Sequence, residues 1–257
     1  MAKNNKPKIA IFDLTDCEGC ELQIINLKDK LLTLLDKVEV TNWRLAKAKN
    51  ESGPYDISLV EGSAQTQEEI DLLKDLREKT KYLIGLGACA CIGGIPSIVG
   101  EKKEREHLFK LIYGPEYKPR AKTSKPINAY VSVDFYINGC PVHFPELERV
   151  LTNLLFNRLP ERLGYPVCLE CKFRENECLL VKDKPCLGPI TQAGCQAICI
   201  TEGKYCYGCQ GPFKAANMKA INTRLKQFIK DREIKNYLNL FLKATKEYNK
   251  VLKWKRN

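Results

Sequence analysis

Eight of the chain's thirteen cysteines fall between residues 168 and 209, where hydrophobic periodicity gives way to glycines, prolines and short loops. Such a segment cannot fold around apolar side chains alone. About fifty residues of loop in a compact protein need covalent or metal cross-links in place of a hydrophobic core. The eight, Cys168, Cys171, Cys178, Cys186, Cys195, Cys199, Cys206 and Cys209, open with one Cys-x-x-Cys pair and close with another. Twice four thiols at this spacing predict two tetrathiolate sites.

The remaining sequence predicts where those sites sit. At 257 residues, 44% hydrophobic and 28% charged, the chain suits a globular domain plus a smaller second unit and excludes wholesale disorder. No apolar run approaches the roughly 18 residues that cross a bilayer. The lysine-rich start leads into Ile-Ala-Ile-Phe with neither a signal-peptide core nor twin arginine, so the expectation is a cytoplasmic protein without a membrane span. In that reducing setting the cysteines stay thiols unless a metal or cluster holds them.

Residues 1–160 alternate short apolar runs with amphipathic stretches, the pattern of parallel β-α-β units. Strands are expected at Lys8 to Leu14, Val38 to Trp43, Asp56 to Glu61, Tyr82 to Gly87 and Ala129 to Ile137. Between them, Leu22, Ile25, Leu31, Leu32 and Leu35 are read as one helical face. Thr66 followed by Glu69 reads as a capping box opening a helix through Ile70, Leu73 and Leu76. The fold class is α/β, a flavodoxin-like parallel sheet. Residues 161–212 form a loop-rich cysteine domain. The last 45 residues, 213–257, carry thirteen Lys or Arg against three acids, so this segment holds +10 of the net +11. Apolar residues at helical spacing there, Ile221, Leu225, Phe228, Ile229, then Tyr237, Phe241, Ala244 and Tyr248, predict an amphipathic tail with a cationic face.

Four further cysteines each sit just beyond a predicted strand: Cys17 and Cys20 after the first, Cys89 after the fourth, Cys140 after the fifth. In a parallel sheet these loops share the carboxyl edge, where ligands of open α/β folds bind. Four convergent thiolates suit either zinc or a 4Fe-4S cluster. Gly19, Gly87 and Gly139 beside them let backbone approach sulfur. Pro141 after Cys140 matches the Cys-Pro that ends ferredoxin motifs. Cys17-Glu18-Gly19-Cys20 opens a helix whose positive end favours thiolate. Cys91 is left over, either a small buried hydrophobe beside Cys89 or the ligand in its place.

Cys17-Glu18-Gly19-Cys20-Glu21, Glu61-Gly62-Ser63, Gly87-Ala88-Cys89-Ala90, Gly139-Cys140-Pro141, Cys168-Leu169-Glu170-Cys171 and Cys186-Leu187-Gly188-Pro189 together resemble the small subunit of nickel-iron hydrogenases, in its soluble sulfhydrogenase and methanogen branch. The resemblance implies three 4Fe-4S clusters: a proximal one on Cys17, Cys20, Cys89 and Cys140, a distal one on Cys168, Cys171, Cys178 and Cys186, and a medial one on Cys195, Cys199, Cys206 and Cys209. Interleaved ligation, as in two-cluster ferredoxins, is the alternative partition. It also implies a large subunit bearing the nickel-iron centre, a further electron-accepting redox subunit, and carboxylates such as Glu18, Glu21 and Glu61 near a proton route. Without it, Glu18 and Glu21 simply suit a helix's first turn and Glu61 ends a strand. The sequence departs from many members with Val142 after Cys-Pro, and from membrane-bound relatives with cysteine at all eight later positions. Of the two histidines, His107 sits on a charged helix and His143 lies three residues past Cys140.

No Gly-x-Ser-x-Gly or phosphate-binding glycine loop is present, so the chain is expected to relay electrons without a catalytic residue of its own. Two rivals fit less of the sequence. A zinc-ribbon nucleic-acid binder explains the paired cysteines and basic tail but not thiols at three strand ends, and aromatic residues for base stacking are sparse. A quinone-reductase cluster subunit of respiratory complexes shares the first unit but not the eight-cysteine extension.

Overall fold

The computed structural model describes residues 6–99 and 102–248, and folds as two compact units. One runs to Cys91 and resumes at Lys125–Glu161. The other comprises Ile92–Ser124 and the chain from Arg162 onward.

The first unit is built on five parallel strands: β1 (Lys8–Asp13), β2 (Glu39–Trp43), β3 (Tyr55–Glu61), β4 (Thr80–Leu86) and β5 (Phe135–Ile137). Their order is β2-β1-β3-β4-β5, the flavodoxin-like arrangement with its switch point between β1 and β3. The central strands are buried on both faces, Ile57, Leu59 and Val60 in β3 and Leu83, Ile84 and Leu86 in β4, as a parallel sheet covered by helices requires. The helices are α1 (Gly19–Ile25), α2 (Asp29–Leu35), α3 (Gln67–Lys79), α4 (Gly87–Ile92) and, after the α5 segment of the other unit, α6 (Phe144–Leu155). The capping box forms: Thr66 Oγ1 accepts from Glu69 N at 3.2 Å, and Glu69 accepts from Thr66 N at 2.8 Å. Behind it Ile70, Leu73 and Leu76 are buried.

Two expectations need correction. Residues 22–35 do not form one helix with Leu22, Ile25, Leu31, Leu32 and Leu35 on its inner face. The chain breaks between α1 and α2, where Lys28 has φ 51°, and the inward residues of α1 are Cys20, Glu21 and Ile24. Leu22, Ile25 and Leu32 are exposed. With Cys20, Glu21 and Ile24 sharing the inward face of α1, Leu22 and Ile25 fall toward its other side. The strand expected at Ala129 to Ile137 keeps only its last three residues. Pro126 leads into a 3-10 turn at Ile127–Ala129, and the Asp134 carboxylate accepts the N–H of Leu83 at 2.7 Å while pairing with Arg77 at 2.6 Å. A side chain thus takes the ladder position that a longer strand would fill.

The second unit contains α5 (Lys102–Tyr113), α7 (Val167–Phe173), α8 (Ile198–Thr201), α9 (Met218–Leu225) and α10 (Asp231–Leu242). Among the described residues the basic tail contains α9 and α10, and its residues beyond 248 lie outside the described ones. Its apolar residues Met218, Ile221, Leu225, Ile234, Leu238 and Leu242 share one core with Val167, Leu187, Ile190 and Ile200 of the cysteine-rich segment. Among the described residues no helix is long and apolar enough to cross a membrane.

Candidate metal centres

No two of the thirteen cysteines are joined by a disulfide. In the first unit three loops meet at the carboxyl edge of the sheet. Cys17 and Cys20 follow β1, Cys89 lies in α4 directly after β4, and Cys140 follows β5. Cys20 is buried, Cys89 half-buried, and Cys17 and Cys140 are exposed. The four are electrostatic neighbours. Burial, then Cys140 and Cys17, push the Cys89 thiol up to about 12. Burial and then Cys17 raise Cys140; burial, Glu61 and Cys140 raise Cys20. Without a cation Cys20, Cys89 and Cys140 resist ionising; bound iron would supply the missing positive charge.

The site is shaped for sulfur at close quarters. Gly87 has φ +82°, and a Cβ there would lie 2.4 Å from Cys20 Sγ. Only glycine holds that turn and leaves the thiol its space. The start of α1 is held by a side chain from β3: Glu61, 2% exposed, accepts the N–H groups of Cys20 at 3.0 Å and Glu21 at 2.7 Å. A carboxylate thereby satisfies two donors that a helix start leaves open, and fixes the Cys-x-x-Cys loop to the sheet. Burial still raises the Glu61 pKa. Glu21, 1% exposed, accepts from Trp43 Nε1 at 2.7 Å, and burial pushes its carboxyl up to about 7. Asp16 accepts from Glu18 N at 3.0 Å and is likewise raised by burial, to about 6. Arg44 pairs with Asp13 at 2.7 Å and Glu18 at 2.5 Å, tying the loop to β1 and β2. The Cys91 Sγ instead lies in the core, donating to Gly85 O at 3.3 Å and Ile137 O at 3.7 Å. His143 is the residue before α6, and His107 is exposed on α5.

In the second unit Cys168 has Cys186, Cys171 and Cys178 as electrostatic neighbours, and burial pushes it up to about 12. Cys195 neighbours Cys209 and Cys199 and is raised to about 12 for the same reason. The two groups touch where a side-chain hydrogen bond between Cys186 and Cys206 lowers the Cys186 thiol and, with burial, raises Cys206. Cys186 Sγ also accepts the N–H of Gly188 at 3.3 Å. Among the described residues no three Cys, His, Asp or Glu side chains close around one point as a single metal ion requires. A four-iron cluster makes a looser demand, because each thiolate binds its own iron.

Sequence reasoning gave Glu170 no role. Lying between Cys168 and Cys171, it accepts the N–H of Gly194 at 2.9 Å, and the amides of Gln196, Cys195 and Ala197 also stabilise its charge. Gln196 and Ala197 both have φ 53°, a loop wound around one carboxylate. An acid inside a ligand pair was the available signal.

This sheet with its thiols, together with a separate eight-cysteine unit, defines the class of nickel-iron hydrogenase small subunits. The solved NAD+-reducing [NiFe]-hydrogenase in its H2-reduced state contains a chain 28% identical, at a TM-score of 0.53, matching 61% of this chain and 95% of that one. A chain of the Desulfomicrobium baculatum [NiFeSe]-hydrogenase, 18% identical, shares the fold over 88% of this chain and all of that one, at 0.58. The chain belongs to the family of the NADH ubiquinone oxidoreductase, 20 Kd subunit, whose model matches residues 17–154. Within that family it is a hydrogenase small subunit. It is 40% identical to sulfhydrogenase 2 subunit delta of Pyrococcus furiosus over 91% of this chain and 98% of that protein. It is 30% identical to a component of the vhu F420-non-reducing hydrogenase of Methanococcus voltae, over 80% of this chain and 83% of that one. The family model stops before the eight-cysteine segment and so covers the quinone-reductase rival equally; the Pyrococcus furiosus relative, matched over 91% of this chain, extends across it and favours the hydrogenase. As a hydrogenase subunit the chain belongs to an oxidoreductase complex with a large subunit and carries iron-sulfur clusters.

Proposed function

We propose that this chain is the non-catalytic electron relay of a cytoplasmic nickel-iron hydrogenase, with three 4Fe-4S clusters. Cys17, Cys20, Cys89 and Cys140 hold the proximal one. Cys168, Cys171, Cys178 and Cys186 hold the distal one, and Cys195, Cys199, Cys206 and Cys209 the medial one. The clusters supply one-electron transfer, so the chain carries electrons between the large subunit and a further redox subunit.

The observation that carries this reading is the meeting of four sequence-distant thiols beyond the strand ends, around a glycine that a side chain would close. Chain residues do the tuning. Glu61 fixes the first ligand pair, Gly87 leaves room for Cys20, and the Gly188 N–H bonded to Cys186 Sγ stabilises negative charge on sulfur. Exposure of Cys17 and Cys140 suits a site facing a partner.

Anaerobic purification followed by iron and acid-labile sulfide determination tests the reading. About twelve irons and as many sulfides per chain are expected, with absorbance that bleaches on dithionite reduction. A colourless protein containing zinc and no sulfide would overturn it.

A further inference from the structure

Helix α10 of the basic tail makes one polar contact with a ligand-bearing loop. Tyr237 Oη donates to the backbone carbonyl of Cys206 at 2.5 Å. The same carbonyl accepts the N–H of Leu187, the residue after Cys186, at 3.0 Å. One oxygen therefore joins loops from both groups of cysteines to the tail. The Tyr237 ring meets Tyr207 edge-on, centroids 5.3 Å apart at 79°. Alongside, Gly208 has φ +82°, and a Cβ there would lie 3.3 Å from Leu187 Cδ1 and 3.7 Å from Leu242 Cδ2. The turn Cys206-Tyr207-Gly208-Cys209 is thus covered by α10 and Leu187. The buried residues of α10, Ile234, Leu238, Phe241 and Leu242, are all apolar. Packing alone asks nothing of a hydroxyl at 237, and a hydroxyl taken from water needs a partner. Its partner is the carbonyl of a candidate ligand.

We propose that Tyr237 is a positioning residue for the cluster held by Cys206 and Cys209: its hydroxyl fixes the ligand turn and directs the positive end of the O–H dipole toward it. The proposal rests on the iron-sulfur reading above. A donor so placed stabilises the more negative, reduced state and raises that cluster's potential.

The test is Tyr237→Phe in the complete hydrogenase complex, which keeps the ring and its packing. Iron and sulfide should stay at the wild-type level. In a redox titration followed by electron paramagnetic resonance, one cluster signal should move to lower potential while the others hold. Identical potentials and line shapes in an iron-replete variant overturn the proposal and leave the iron-sulfur reading intact; a wild-type complex without iron and sulfide sinks both. If Tyr237→Phe instead loses iron, Leu238→Ala decides, since it weakens α10 packing without touching the hydroxyl. Iron loss confined to Tyr237→Phe supports the proposal, and equal loss in both variants overturns it.

Discussion

Gly87 and Glu61 act on the same first ligand pair in different ways, so their substitutions separate site geometry from stability. In Gly87→Ala the new methyl collides with Cys20 Sγ at 2.4 Å on a backbone already at φ +82°. Ordinary relaxation does not absorb both. The expected outcome is loss of about four irons per chain, the proximal share, with the second unit's signals intact, read by iron analysis and electron paramagnetic resonance. Glu61→Ala removes the acceptor of two buried N–H groups and should cost about 2 kcal/mol, seen as a lower urea midpoint. Thiol positions were legible because a parallel sheet sends every strand end to one edge. The capping role of Glu61 was not: it depends on β3 lying beside β1, a neighbour relation that spacing along the chain does not encode. Glu170 was hidden for the same reason, its amide donors being 24 to 27 residues away.

At the scale of elements, local chemistry predicted well wherever the stabilising bond is local. The box at Thr66 and Glu69 closes within four residues, and α3 begins where it was expected. Thr66→Ala should destabilise the unit by about 1 kcal/mol without changing iron content, measured by thermal or urea unfolding. The break between α1 and α2 carries no such mark. Lys28 adopts φ 51° with neither glycine nor proline in Asn26-Leu27-Lys28, and tertiary packing of Cys20 and Ile24 overrides the continuous leucine pattern. The shortened β5 is similar, since its late start is imposed by Asp134 reaching β4 and Arg77.

For the second unit as a whole, the tail is part of the core. Periodicity in residues 218–242 announced amphipathic helices, but an apolar face does not name what it covers. It covers the cysteine-rich segment, with Met218, Ile221, Leu225 and Leu238 against Val167, Leu187 and Ile190. Ending the chain after Pro212 should therefore release iron from the second unit at low and moderate salt alike. A tail serving only as a cationic docking arm would leave iron in place and weaken assembly in a salt-dependent way, so iron content across a salt series separates the two roles.

Removing iron while keeping the whole chain probes the complementary half of the balance. The first unit has a sheet core that owes nothing to metal: Ile57, Leu59, Leu83, Ile84 and Leu86 are each 1% exposed or less. Between Arg162 and Pro212, by contrast, the regular elements are α7, a single 3-10 turn and the four-residue α8. Backbone there is held chiefly by turns and by whatever binds the thiols, and metal-binding free energy becomes folding free energy. Oxidative removal of iron should accelerate amide exchange across 163–212 on the order of 100-fold while β1, β3 and β4 keep their protection. Uniform acceleration in both units would instead mean that the sheet too depends on its proximal ligands.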